Sequence, residues 1–154
     1  MRLDTTERQG FSFGVTSGVI TTLGVVVGLY ATTHNATIVI SGIVVTAIAD
    51  SLSDATGMHL AEESTSGSSR RIWEATLSTF FAKLISGLSF VVPVLIFSLL
   101  TAIVVDVLYG MLLVTILSIL IAKRQKASVW SIVASHLALI LIVITITHFV
   151  GRII

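Results

Sequence analysis

Asp50, Asp54, Met58 and Glu62 recur at steps of four residues within the stretch AIADSLSDATGMHLAEE, from Ala47 to Glu63. On a helix such residues share a face. They make a ladder of two carboxylates, a thioether and a third carboxylate, roughly 18 Å long at about 1.5 Å of rise per residue. His59 and Glu63 flank its lower end. Carboxylate oxygens bind divalent cations, and a methionine sulfur with an imidazole shifts preference toward later transition metals. The set therefore suits Fe²⁺, Mn²⁺ or Co²⁺ better than Ca²⁺. One helix face cannot surround an ion, so a second helix, or a two-fold mate presenting the same face, has to complete the coordination. Carboxylates at low dielectric also take up and release protons, which makes proton-for-metal exchange chemically natural.

Other readings compete at each position. Asp50 and Asp54 could instead pair with a basic group or cap a broken helix, and Lys83 is the one lysine or arginine at a suitable depth. Met58 could be a packing methionine, and Glu62 and Glu63 solvated end residues. His136 and His148 in the last apolar segment could simply bond to backbone. The pair Asp50-x-x-x-Asp54 also raises a metal-dependent membrane phosphotransferase of the CDP-alcohol type. That pattern needs an upstream Asp-Gly with a nearby Ala-Arg and a glycine four residues before the first aspartate. Here Thr46 holds the last position and no arginine lies between Gly10 and Asp50. The expectation is a non-enzymatic protein.

The elements that must carry the ladder follow from composition. Of the 154 residues, 55% are hydrophobic and 11% charged, with mean hydropathy +1.04. A soluble domain carries about 25% charged residues, so an integral membrane protein is expected, and acidic groups within its spans are functional candidates by default. A net charge of +1 suggests neither nucleic acid nor an acidic partner, and the absence of cysteine excludes disulfides and thiolate metal sites. The polar opening MRLDTTERQG does not look like a cleaved signal peptide. The expected location is a prokaryotic cell (inner) membrane.

Apolar runs predict an all-α fold of five transmembrane helices over about 11–33, 36–60, 84–100, 106–122 and 129–150 in one transmembrane domain, 1–154. The segment 70–83 has the amphipathic pattern of an interfacial helix leading into the third span. Pro93 should bend that span, and Asp106 should cap the start of the fourth. In the first span, Gly14 and Gly18, and then Gly24 and Gly28, form small-xxx-small pairs. These suit either packing within one subunit or a contact between subunits. Of nine lysines and arginines, only Arg152 falls outside if the N-terminus is cytoplasmic and the C-terminus external. The ladder then opens toward the cytosol at Glu62.

GVTSGVITTLGVVVG followed by ISGIVVTAIADSLSDATGMHLAEES resembles the first two spans of the vacuolar iron transporter family. The Leu52-Ser53-x-Ala55-x-Gly57 core and, in outline, Ser17-Gly18-Val19-Ile20-Thr21 carry the resemblance. Pro93 and Phe149-Val150-Gly151 are weaker echoes. The resemblance implies a five-helix homodimer that exports Fe²⁺ or Mn²⁺ from the cytosol in exchange for protons. Spans one and two line the path between subunits, with Ser17 and Thr21 on span one. The metal is substrate, and no resident cofactor is implied. The chain departs from the pattern at three places: the family aspartate of span one falls on Ser17, the methionine of span two on Asp54, and the glutamate after the glycine on Met58. The family's cytoplasmic helical domain is reduced here to the stretch from Glu62 to Lys83. A non-transporting membrane scaffold or regulatory subunit, with its carboxylates paired to Lys83, is the alternative.

Overall fold

A computed structural model describes residues 5–66 and 68–154, and every regular element among them is an α-helix. In chain order these are α1 (Thr5–Thr33), α2 (Ala36–Ser66), α3 (Ser69–Ser89), α4 (Val91–Ile96), α5 (Leu99–Gln125) and α6 (Val129–Ile153). Five stretches are long and apolar enough to cross a bilayer: Thr6–Thr33, Ala36–Thr65, Ser69–Ile96, Leu99–Gln125 and Val129–Ile153. The chain is an integral membrane protein by that criterion.

Local chemistry sets the boundaries. His34 closes α1 in the left-handed region at φ 50°, with its N–H on Tyr30 C=O at 3.1 Å. Asn35 then caps α2, its Oδ1 accepting from the N–H groups of Thr37 at 2.9 Å and Ile38 at 3.3 Å. Pro93 has no N–H to offer Ser89 C=O four residues back. The break falls where that bond is missing, between the end of α3 at Ser89 and the start of α4 at Val91.

Two expected boundaries move. The segment 70–83 is not a separate helix before a third span; it runs unbroken into α3 from Ser69. Its polar residues Thr76, Thr79 and Lys83 are buried, because α3 lies flat along α1. Asp106 is not a cap. Ser98 holds that position, and Asp106 sits two turns inside α5, fully buried, with neither carboxyl oxygen hydrogen-bonded.

Glycines let α1 serve as the central post. A methyl group at Gly14 would come within 2.6 Å of Thr79 C=O, and one at Gly18 within 3.0 Å of Lys83 C=O. One small-xxx-small pair therefore seats α3. Gly24 and Gly28 face Val143 and Thr147 of α6. Both pairs are used within the subunit, where close backbone approach supplies the packing that lipid cannot. The apolar core around Val19, Leu23, Val26, Ile43, Phe90 and Val114 fills the space between α1, α2, α4 and α5.

Candidate cation site

α2 is about 45 Å long and carries Asp50 about 21 Å from its first residue, near the middle of the helix, at about 1.5 Å per residue. α3 passes beside it, and Lys83 reaches across. The lysine stem lies against Gly18, where a methyl group would stand 3.2 Å from Lys83 Cγ. Its ammonium ends among three oxygen-bearing side chains. Nζ is 2.6 Å from Asp50 Oδ2, is paired with Asp54 Oδ2, and donates to Ser17 Oγ at 2.8 Å. Ser17 in turn donates to Asp54 Oδ2 at 2.7 Å. The contact with Asp50 lacks hydrogen-bond alignment, so it is a charge–charge contact, whereas Asp54 and Ser17 are bound directionally.

The cluster is lopsided in access. Lys83 is 2% exposed, whereas Asp50 is 29% and Asp54 22% exposed. The ammonium thus plugs the site from behind, and the carboxylates open outward along α2. Ser53 and Gly57 continue this stripe; both are exposed, and nothing lies within 4 Å of a methyl group built on Gly57. Two ionised carboxylates and one ammonium leave one excess negative charge on an apolar-walled surface, a configuration that attracts a further cation.

Of the residues selected from sequence, the structure brings together Asp50, Asp54 and Ser17. Thr21 lies one turn further along the same side of α1, partly buried and outside the hydrogen-bonded cluster. Met58 lines a separate opening with Ser12, Phe13 and Arg8. His59 turns to α3, its Nδ1 3.1 Å from Thr76 Oγ1 and its ring edge-on to Trp73 at 5.0 Å. Glu62 is half-buried and Glu63 exposed at the end of α2. Among the described residues, no three His, Cys, Asp or Glu side chains converge as a metal-ligand group. His136 is held by Ser118 of α5, Nδ1 to Oγ 2.7 Å.

Lys83 was legible only as a possible partner of the aspartates, from its depth. Asp106 was missed as a buried group, because an aspartate between two apolar runs reads equally well as a helix start.

Comparison of the chain with protein-family models, with curated proteins and with solved structures gives no match.

Proposed function

We propose that this chain is a non-enzymatic carrier that exports a divalent transition metal, Fe²⁺ or Mn²⁺, from the cytosol in exchange for protons. Asp50 and Asp54 are its ion-binding groups. The observation that carries the reading is the pair of half-open carboxylates near the middle of α2, gathered around one buried ammonium. Lys83 needs only one carboxylate for neutrality, so the second leaves a negative charge over that favours a further cation. Both carboxylates are left accessible along α2. An entering cation meets the two carboxylates from their open side, with the Lys83 ammonium behind them and Ser17 as a neutral oxygen beside them. The resemblance to vacuolar iron transporters adds support, because two of the positions where the chain departs from that family, Ser17 and Asp54, touch each other. A carboxylate moved from span one to span two stays in the same local space.

In this reading the end of the bundle with Arg8, Lys123 and Arg124 is cytoplasmic, and the other end, with Arg152, is external in a prokaryotic inner membrane. A second copy covers the stripe of Asp50, Ser53 and Gly57. The two-fold supplies the facing carboxylates that one helix cannot provide.

The test is metal flux into proteoliposomes. In the unmodified protein, protons leaving down their gradient drive Mn²⁺ and Fe²⁺ in the opposite direction, and in Asp54→Ala they do not. Equal flux in the two proteins would reject the assignment.

A second reading, a membrane scaffold or regulatory subunit without transport, is favoured by the Lys83 contacts with both aspartates. It requires that no divalent cation shift the melting temperature of the purified protein.

A further inference from the structure

From a different part of the molecule, the groove between α1 and α5, we infer that the protein binds an anionic phospholipid. The phosphate sits on Arg8 and Arg124, and an acyl chain lies along the groove leading away from them.

Arg8, at the start of α1, and Arg124, at the end of α5, line the same opening together with Ser12. No acidic residue lines that opening or the adjoining one that holds Gln9 and Gln125. Among the described residues neither arginine forms an ion pair, and Arg8 Nε is enclosed with no hydrogen-bond acceptor. Elsewhere the chain pairs its buried cation, Lys83, with two carboxylates. Two unpaired guanidinium groups facing one opening therefore make a site for an anion, and guanidinium matches a phosphate with parallel N–H donors.

What lies beyond the arginines selects the kind of anion. Phe11, Leu117 and Leu120 are shared between the arginine-lined opening and a second, larger groove of about 390 Å³. That groove continues along α1, α3 and α5 past Val15, Ile85 and Leu113, with Tyr109 and Ser89 further along. The path runs from two positive charges at one end of the bundle into an apolar channel on its membrane-facing side. A free phosphate ion uses only the first part. A phospholipid uses both, and basic pockets between transmembrane helices suit acidic headgroups.

The experiment uses the full chain purified in a neutral detergent. Its melting temperature is followed while phosphatidylglycerol, phosphatidylcholine or glycerol phosphate is added, and retained lipid is read by native mass spectrometry. Phosphatidylglycerol should raise the melting temperature and remain bound. The other two should do neither. In Arg8→Gln/Arg124→Gln the apparent affinity should fall roughly thirty-fold, at about 1 kcal/mol per arginine. Leu120→Trp fills the groove while keeping both arginines, and should lose lipid retention to a similar degree. It provides the test if the double variant does not fold. Equal effects of the two lipids, full retention in the variants, or an equal effect of glycerol phosphate alone would overturn the proposal. So would efficient disulfide dimerisation in the membrane of Ile116→Cys, an exposed position lining the groove, because the groove would then be occupied by a second copy.

Discussion

Lys83 Nζ lies 2.6 Å from Asp50 Oδ2, yet the lysine is sealed inside the subunit while the aspartate opens outward. The two ends of this ion pair therefore answer to different surroundings. The lysine is committed to the fold by α1 and α3, and the aspartate remains available to whatever approaches α2. Fold stability and cation binding meet at one contact, and substitutions should separate them.

Lys83→Met removes the only cation from the cluster and leaves two carboxylates facing each other in a membrane-embedded site. Breaking a buried pair by deleting one partner costs about 3–5 kcal/mol. Partial exposure of both aspartates puts the expected loss toward the lower figure. The melting temperature should fall sharply and should recover in part in Asp50→Asn/Lys83→Met, which removes one of the stranded charges. If divalent cations bind these carboxylates, Mn²⁺ should also restore the single variant, by about 2.7 kcal/mol at a hundred times its dissociation constant. Failure of both rescues would show that the carboxylates do not depend on a cation at this position.

Ser17→Ala isolates the neutral oxygen. It deletes the hydroxyl that accepts from Lys83 and donates to Asp54 while leaving all three charges. Hydrogen bonds to charged groups contribute about 1.5–3 kcal/mol, and because the site is partly open the smaller figure applies to stability. Metal flux should drop without vanishing, in contrast to Asp54→Ala. Flux lost as completely as in Asp54→Ala would make Ser17 indispensable to ion binding, with a larger part than a neutral oxygen beside the carboxylates.

How much of this was legible in the sequence depends on geometry that a wheel of residues does not hold. The five apolar spans and the Asp50–Asp54 pair follow directly from hydropathy and spacing. The full ladder does not persist, because a step of four residues overshoots a 3.6-residue turn by about 40°. From Asp50 to Glu62 the drift reaches about 120°, so the lower rungs leave the face of the upper ones. Met58 accordingly meets the start of α1. The neighbour that completes a site is likewise absent from a single helix: His59 is next to Met58 in sequence, but α3 takes it with Thr76 and Trp73. The third apolar helix begins earlier than the hydropathy pattern suggests, at Ser69, for a related reason. Glu74, Ser78 and Lys83 suggest an interface with water, whereas the glycines of α1 admit Lys83 into the protein interior.

Gly18 and Gly57 should respond in opposite ways to alanine. A methyl group at Gly18 meets Lys83 C=O at 3.0 Å and Lys83 Cγ at 3.2 Å, besides the Ser86 hydroxyl. α1 and α3 must then part, or the lysine stem must shift. Overpacking of this kind costs about 1–3 kcal/mol and should also perturb the cation site. Gly57→Ala meets nothing within 4 Å outside its own stretch of helix, and because glycine inside a helix is about 0.5–1 kcal/mol less favourable than alanine, its melting temperature should rise slightly. Gly57→Trp then probes the outer stripe. If a second copy packs there, size-exclusion chromatography with light scattering should find the variant monomeric and still folded, and an unchanged oligomeric state would place the subunit contact elsewhere.

Asp106 offers the reverse case, a buried acid whose removal should help the fold. Both its oxygens are enclosed without a hydrogen-bond partner, and the methyl-sized gap at Gly110, one turn along, is closed by Leu23 and Val19. An unsatisfied buried polar group costs about 1–3 kcal/mol, and replacing it with an apolar group of similar shape can be stabilising. Asp106→Val should therefore raise the melting temperature, whereas an ordinary structural aspartate would lower it on replacement. Flux measured on the same variant decides what the aspartate is kept for. A stabilised protein that has stopped transporting would mark Asp106 as a working group of the transport cycle, since polar residues inside a membrane are costly and tend to be functional. A stabilised protein with undiminished flux would confine the ion path to Asp50, Asp54 and Ser17, on the far side of α1.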